Sequence, residues 1–184
     1  NKWRNKSFLE WVYPKLVLWH NWILNNRDKN KDGLLEWGCD KENVAVQILG
    51  KESSSYESGM DDTPTVEEAT WDDNLNCCRM NFIDFSSIFA LDCLMLVKFA
   101  KELNKNNDAE LFMQQYTNIS SAINKNLWDN ERKIYTNRHW DGKFATEISP
   151  TSFYPMIAKI PTKEQADELV RNLLDEKLFW GEYI

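Results

Sequence analysis

The stretch YESGMDDTP, at residues 56–64, places three carboxylates within six residues and beside a phenol ring. These residues are Tyr56, Glu57, Asp61 and Asp62. Carboxyl groups held on a loop are suited to proton transfer when their surroundings adjust their pKa values. Gly59 allows positive φ, and Pro64 prevents a helix from running through the stretch. The composition therefore predicts a loop, which is either a proton-transfer site or a solvated acidic turn.

A second polar pattern, D-x-N-x-D-G-L-x-E, occupies residues 28–36. Side-chain oxygens at its first, third and fifth positions, followed by glycine, repeat the beginning of an EF-hand calcium loop. The candidate ligands are Asp28, Asn30, Asp32, the Leu34 carbonyl and Glu36. An EF-hand ends on a glutamate at the twelfth position, where this chain has Cys39, so calcium would need a further carboxylate or water. The spacing alone leaves two interpretations open, a calcium site and an Asn/Asp/Gly turn.

Several motifs together resemble one enzyme family. ESGMDDTP, at residues 57–64, is similar to the ESG-x-D-[ND]-[ST]-P signature of glycoside hydrolase family 63, whose members are inverting α-glycosidases on an (α/α)6 barrel. RDKNKDGLLEWG, at residues 27–38, resembles that family's RD-x-[ND]-x-[ND]-GL-x-E-[WY]-G loop. Further segments fit in family order: YPKL at residues 13–16 with Trp19 and His20, SPTSFYP at 149–155, and FWGEY at 179–183. The resemblance covers nearly the whole chain.

The resemblance separates this chain from a related group and implies roles for its residues. Trehalases share ESG-x-D, but they usually have tryptophan in place of Met60 and lack the following Thr-Pro. Asp61 is implied to be the general acid that protonates the leaving oxygen. Tyr56 is a candidate substrate contact by ring stacking and Gly59 by close backbone approach. Glu57 and Asp62 are also expected at the substrate site, where their charges, beside Met60, would raise the pKa of Asp61.

Two further expectations come from the resemblance. Inversion needs a second carboxylate on the other face of the sugar, about 6.5–9.5 Å away, to activate water. In the family this base lies toward the C-terminus beyond the FWGEY segment, and neither Glu147 nor Glu182 matches its position. Some family members bind calcium at the loop that residues 28–36 resemble, so the family favours the calcium interpretation.

Hydrophobic periodicity predicts the helices that must position these groups. Helices are expected at residues 7–26, 84–104 and 108–126, and a last helix begins near Thr162. Their start signals are a Ser7–Glu10 capping box, a cap at Asp108 and a Thr162–Gln165 capping box. The helix at 84–104 is apolar almost all round, so we expect it to lie inside a larger assembly, paired with the next helix as an antiparallel hairpin.

Two regions do not follow the helical period. Residues 38–76 show no sustained periodicity and are predicted to be a long functional loop. Residues 134–136 and 143–146, on either side of an Asp-Gly pair, are predicted to form a short β-hairpin.

Composition limits the class of partner. The chain has 184 residues, 28% of them charged and 42% hydrophobic, which is typical of a single globular domain. A net charge of −7 argues against nucleic-acid and anionic-membrane binding, and no apolar run approaches the roughly 18 residues of a membrane helix. Four cysteines without CxxC spacing indicate reduced thiols, which slightly favours a cytoplasmic location. The expected partner is an oligosaccharide or glucoside substrate.

The predicted architecture is all-α: residues 1–184 as part of an (α/α)6 barrel, a helical toroid with long catalytic loops and a short β-hairpin. Because such a barrel needs about twelve helices, we expect an arc of hairpins with exposed apolar faces, completed by the remainder of the same enzyme and inactive alone. Two alternatives are a calcium-stabilised helical carbohydrate-binding module without turnover, and a helical scaffold whose acidic loop is incidental.

Overall fold

The computed structural model describes residues 5–40, 50–60 and 63–181. These residues form six α-helices: α1 (Lys6–Asn26), α2 (Lys51–Ser58), α3 (Ile83–Glu102), α4 (Asn106–Asn126), α5 (Tyr154–Ile157) and α6 (Lys163–Leu173). Two short 3-10 helices lie at Pro64–Val66 and Pro150–Phe153. The mainly helical chain agrees with the predicted class, and α3 and α4 form the predicted antiparallel hairpin.

Six strands of two residues each form three separate antiparallel pairs in the described part of the chain. They are β1 (Trp71–Asp72), β2 (Cys77–Cys78), β3 (Met80–Asn81), β4 (Trp128–Asp129), β5 (Ile134–Tyr135) and β6 (Arg138–His139). In register, Trp71 lies opposite Cys78, Met80 opposite His139, and Trp128 opposite Tyr135. The β3–β6 pair joins the segment before α3 to the segment after α4, so it closes one end of the helical hairpin.

The predicted β-hairpin is wrong in its pairing but right in its turn. β5 pairs with β4, because the tight connection held by the Asp129 carboxylate offers it a nearer partner. The segment after the turn instead lies against β6, where Phe144 is bridged to Arg138. Gly142 has φ of 90°, in the left-handed region that favours glycine, and its N–H donates to the His139 carbonyl at 2.9 Å.

Two helix starts differ from prediction and one agrees. The side chain of Asn5 accepts the N–H of Phe8 at 3.0 Å and caps α1, so the Ser7–Glu10 capping box is wrong. Because α4 already begins at Asn106, Asp108 lies in its first turn, where it accepts the Tyr13 hydroxyl at 2.8 Å. The α6 capping box between Thr162 and Gln165 is confirmed.

Residues 38–76 contain more regular structure than the predicted long loop. The helix α2 has the sequence KESSSYES, which has no apolar stripe, so its period was not visible. It is held through small polar side chains: the hydroxyl of Ser54 is buried 3.2 Å from the Cys78 sulfur and donates to the Lys51 carbonyl.

The main core packs α3 and α4 against the strand pairs and the segment that follows α1. Its largest fully buried apolar side chains include Leu34, Leu35, Met80, Phe82, Ile83, Ile123, Leu127, Ile134 and Tyr135. All four cysteines are free thiols, and Cys77, Cys78 and Cys93 are fully buried. Gly38 lies so close to β2 that a Cβ atom on it would be 2.5 Å from the Asn76 carbonyl oxygen, so only glycine fits.

His20 is fully buried where α1, α3 and α4 meet. Its Nδ1 lies 2.6 Å from a carboxylate oxygen of Asp92 on α3, and its Nε2 lies 3.0 Å from the side-chain oxygen of Gln115 on α4. The imidazole also stacks on Phe89 at a centroid distance of 4.4 Å. A single side chain therefore fixes the relative position of three helices.

Asp84 is buried in the first turn of α3 and supports Trp37. Both of its carboxylate oxygens lie 3.2 Å from the Trp37 indole nitrogen, and one accepts the N–H of Phe85 at 2.7 Å. The Trp37 and Phe85 rings stack at 3.8 Å. Burial raises the pKa of Asp84 to about 6, although these hydrogen bonds oppose the rise.

Large apolar side chains remain exposed on the outer face of α1. They are Phe8, Trp11, Leu18 and Trp19, each more than half exposed. Ile88 on α3 is 49% exposed, which agrees with the prediction that apolar faces stay uncovered in this part of the toroid. None of the helices described is long and apolar enough to cross a membrane.

We expect His20→Ala to lower the free energy of unfolding by about 2–4 kcal/mol, because it leaves a cavity and unpairs Asp92 and Gln115. Chemical denaturation measures the change. Glu110→Ala, on the exposed face of α4, is the control and should change stability by less than about 0.5 kcal/mol. A loss below about 1 kcal/mol for His20→Ala would contradict the bridging role.

A second prediction concerns pH. Because the folded chain holds a proton on Asp84 up to about pH 6 and the unfolded chain releases it near 3.8, unfolding free energy should fall as pH rises between these values. The loss is about 3 kcal/mol. Asp84→Asn, which keeps an acceptor for the Trp37 indole, should remove this component when stability is measured across the range. An unchanged slope in that variant would assign the pH dependence to other groups.

Candidate active site

The acidic stretch begins on a helix and not on a loop. Tyr56 and Glu57 lie in the last turn of α2, and Tyr56 is 54% exposed. Gly59 ends the helix in the left-handed conformation with φ of 67°, and its N–H donates to the Tyr56 carbonyl at 3.2 Å. The glycine is therefore explained as a helix C-cap, a position at which glycine has no Cβ penalty.

Asp61 and Asp62, the predicted acid and its neighbour, lie outside the described residues. The residues on either side of them are joined to one another. The N–H and the hydroxyl of Thr63 donate to the Met60 carbonyl, at 3.2 and 2.9 Å, and the Met60 N–H donates to the Ser58 hydroxyl at 3.0 Å. Pro64 then opens a 3-10 helix. The chain is thus anchored immediately before and after the pair of aspartates.

Glu57 forms an ion pair with Arg27, the residue that ends α1. The guanidinium Nε lies 2.9 and 3.1 Å from the two carboxylate oxygens, Nη2 donates to Oε1, and Oε2 also accepts the Gly38 N–H at 2.8 Å. Arg27 is 2% exposed, and its pKa is raised because the bonds and charge of Glu57, with Asp40, outweigh the opposing effect of burial. Glu57 thus joins two segments, and its substrate contact stays a prediction.

The structure brings together three of the predicted cation ligands. Carboxylate oxygens of Asp28, Asp32 and Glu36 all lie within 4.8 Å of one another. Asn30 is next to them, with its side chain bonded to both the backbone and the carboxylate of Asp32. The N–H of Leu34 donates to Asp32 Oδ1 at 2.9 Å, which curls the loop around that carboxylate.

Electrostatics at this loop disfavour three negative charges without a cation. Burial raises the pKa of Glu36 to about 8, and the charges of Asp32 and Asp28 add to the rise against an opposing bond from the Lys29 N–H. Burial, with the charge of Asp32, also raises the pKa of Asp28. A divalent cation would supply the missing positive charge.

Unpaired oxygens converge on the same loop. Among the described residues, the buried atoms Asp28 Oδ1, Glu36 Oε1 and Asn81 Oδ1 have no partner at hydrogen-bond geometry. The Trp140 indole, whose N–H is also unpaired, lies near enough to Glu36 to oppose the rise of its pKa. Asn81 reaches the loop from β3, since its amide nitrogen donates to Asp32 Oδ2 at 2.6 Å. Orphaned buried oxygens are costly unless something binds them, so the donor set fits a hard cation. Sequence reasoning missed Asn81, which is 49 positions from Asp32 and carries no motif.

A further polar cluster lies beyond the 3-10 helix that follows the acidic stretch. Glu68 accepts the N–H and hydroxyl of Thr146 and the N–H of Glu147, at 2.8–2.9 Å. These bonds and the nearby His139, 3.8 Å away, outweigh burial and lower the pKa of Glu68. Glu147 therefore contributes its backbone here, and Glu182 lies outside the described residues.

The chain matches a known family and resembles solved enzymes. A family model described as the mannosylglycerate hydrolase MGH1-like glycoside hydrolase domain matches residues 2–184. The structure is also similar to a family 63 mannosylglycerate hydrolase from Thermus thermophilus solved with glucose. The TM-score is 0.69 at 18% identity, over 91% of this chain and 45% of that chain.

More distant enzymes share the fold. A family 78 rhamnosidase of Bacillus sp. GL1 aligns with a TM-score of 0.63 at 16% identity, over 92% of this chain and 15% of that chain. The neutral trehalase of Saccharomyces cerevisiae aligns with a TM-score of 0.54 at 17% identity, over 81% of this chain and 35% of that chain. The chain thus spans less than half the length of the enzymes it matches here. The predicted part of an (α/α)6 helical toroid is confirmed, and the chain belongs to the mannosylglycerate hydrolase MGH1-like glycoside hydrolase domain family.

Proposed function

We propose that this chain is part of an inverting α-glycoside hydrolase and carries its general acid, Asp61. The family match over residues 2–184 is the observation that carries the proposal. The ESGMDDTP stretch supports the assignment, because the helix cap at Gly59 and the bonds between Met60 and Thr63 anchor the chain on both sides of the acid.

The chemistry requires two carboxyl groups on opposite faces of the sugar. Asp61 protonates the leaving oxygen as the glycosidic bond breaks, while a base removes a proton from the attacking water. Because the chain spans 45% of the Thermus enzyme, we place the base in the remainder of the same enzyme. The exposed apolar face of α1 supports this proposal, because the remainder of the enzyme could pack against it. On this account the 184-residue chain alone is inactive.

The proposed substrate is an α-glucoside or a glucose-capped oligosaccharide. Tyr56 presents a half-exposed ring beside the acid-bearing segment, which suits stacking on a pyranose face. Gly59 and Asp62 would approach the same sugar, and Glu57 would act there through its ion pair. Trehalose hydrolysis is the nearby alternative within this chemistry.

We also propose that calcium binds the loop at residues 28–36. The ligands would be Asp28, Asn30, Asp32, the Leu34 carbonyl and Glu36. Three carboxylates lie within 4.8 Å of one another, and those of Asp28 and Glu36 carry buried unpaired oxygens, which supports the site. Asn81, whose amide nitrogen bonds Asp32, has a third unpaired oxygen. When bound, the ion would neutralise the acidic cluster and fix the chain between α1 and the residues that follow.

For the general acid, we expect Asp61→Asn in the complete enzyme to lower kcat by several orders of magnitude while substrate affinity changes little, because the amide cannot donate the required proton. Turnover of an aryl α-glucoside measures the effect. Asp73→Asn, an exposed aspartate in the β1–β2 connection, is the matched control and should keep wild-type activity. A variant that keeps more than about a tenth of wild-type activity has lost less than about 1.4 kcal/mol of transition-state stabilisation. That result would overturn the assignment. Sugar binding without any wild-type turnover would favour a binding module.

For calcium, we expect chelation to lower the melting temperature of the protein. At a concentration near 100 times the dissociation constant, calcium should stabilise by about 2.7 kcal/mol, or about 5–10 °C for a chain of this size. Differential scanning fluorimetry measures the shift. Asp32→Asn should abolish it, whereas Asp73→Asn should keep it. A melting temperature that chelator and added calcium both leave unchanged in the wild type would contradict the site.

A further inference from the structure

One carboxylate connects residues 28–36, which we call the cation loop, to residues 58–63, which we call the acid-bearing segment. Glu57 accepts two bonds at its Oε1 and Oε2 from the Arg27 Nε, at 2.9 and 3.1 Å, and a further bond from Nη2. It also accepts the Gly38 N–H, at 2.8 Å. Arg27 directly precedes the segment 28–36 that holds the candidate cation ligands, and Gly38 lies two residues after it. We refer to Arg27, Glu57 and Gly38 as the clamp.

The clamp is tied to the loop through the backbone. The Arg27 carbonyl accepts the Glu36 N–H at 2.8 Å, so the two ends of the loop are closed on each other. Glu36 is also a candidate cation ligand, and Gly38 follows it by two residues. Gly38 is bridged to Cys77 of β2, and a Cβ atom on it would be 2.5 Å from the Asn76 carbonyl oxygen. Asp28 and Glu36 therefore lie within two residues of Arg27 and Gly38, the two groups that hold Glu57.

The clamp is rigid on its other sides. Arg27 is 2% exposed, and its guanidinium lies 4.6 Å from the centre of the Trp22 ring. The N–H of Arg27 donates to the Ile23 carbonyl at 2.8 Å and ends α1. A charged fork that is held on one face by an aromatic ring has little freedom to reorient, so it fixes its carboxylate partner.

Glu57 transmits this position toward the proposed acid. It is followed by Ser58, the last residue of α2, then by the cap at Gly59 and by Met60. Met60 is held by Ser58 on one side and by Thr63 on the other. Four positions separate Glu57 from Asp61 in the sequence.

We propose that the clamp couples cation binding at residues 28–36 to the placement of the acid-bearing segment, with Arg27 and Glu57 as positioning residues. This inference rests on the proposed function. If a bound cation favours the loop geometry in which the clamp is closed, the closed clamp favours the cation by the same factor, because coupling between two sites is reciprocal. Calcium thus acts on catalysis without touching the substrate.

Calcium affinity tests the coupling without reference to activity. Isothermal titration of the calcium-free intact protein with calcium chloride should give a dissociation constant at least about tenfold higher in Glu57→Gln than in wild type, within the usual range for coupled sites. Arg27→Lys, which keeps the charge but loses the fork, should fall between the two. It also serves if Glu57→Gln does not fold.

Asp129→Asn is the matched control. Asp129 pairs with Arg132 at 2.6 Å in a half-buried arginine–carboxylate pair on β4, and its hydrogen bonds go to residues 131 and 132. This variant should lower the melting temperature but keep the wild-type calcium dissociation constant. The coupling would be overturned if the wild type binds calcium and both Glu57→Gln and Arg27→Lys bind it with a dissociation constant within twofold of the wild-type value.

Kinetics provide the second readout. In wild type, chelation should lower kcat severalfold with little change in KM, and in Glu57→Gln kcat should be low and no longer respond to calcium. If Glu57 only stabilised the fold, Glu57→Gln would keep the wild-type calcium dissociation constant and the wild-type dependence of kcat on calcium. If the wild type shows no turnover but the affinity shift is present, the glycosidase proposal fails and the clamp stands. If the wild type binds no calcium, the cation site and the clamp both fail.

Discussion

A buried guanidinium organises the region where α1, the segment that follows it and α2 meet. Arg27 cannot lose its charge, so its burial requires a paired carboxylate. Glu57 supplies that carboxylate from a helix 30 positions away. The requirement therefore sets where α1 ends and how residues 28–36 leave it. It also sets how α2 lies beside α1 and these residues. Removing Glu57 would leave the buried guanidinium with only the longer contact to Asp40, at 3.4 Å, as a carboxylate partner.

Other buried polar groups fix the helices in the same manner. His20 joins α1 to α3 and α4, and Asp84 holds Trp37 against the first turn of α3. Apolar packing alone permits many arrangements of similar energy, whereas a buried hydrogen bond is satisfied in few of them. The positions of residues 28–38 and of the end of α2 thus depend on a small number of specific pairs.

Local patterns in the sequence predicted the long helices, the α6 capping box and the Asp-Gly turn, because each depends on residues within a few positions. The same patterns missed α2, whose stabilising contact to Cys78 comes from another segment. They also mispaired β5, since strand pairing depends on which neighbour folds closest. At the candidate site, spacing predicted that Asp28, Asp32 and Glu36 lie together, as they do. Asn81 and the pairing of Arg27 with Glu57 are tertiary contacts without a local signal.

Three buried thiols can report local unfolding of the core, because they react only when the core opens. Burial raises the pKa of Cys77 and of Cys93 to about 12, and that of Cys78 also rises, so none forms the reactive thiolate while the core is closed. Cys39 is only half-buried. A thiol reagent would therefore modify Cys39 first and the other three at the rate at which the core unfolds. Cys77 and Cys78 would report on opening of β2, which is bonded to Trp37 and Gly38, and Cys93 would report on opening of the helical hairpin.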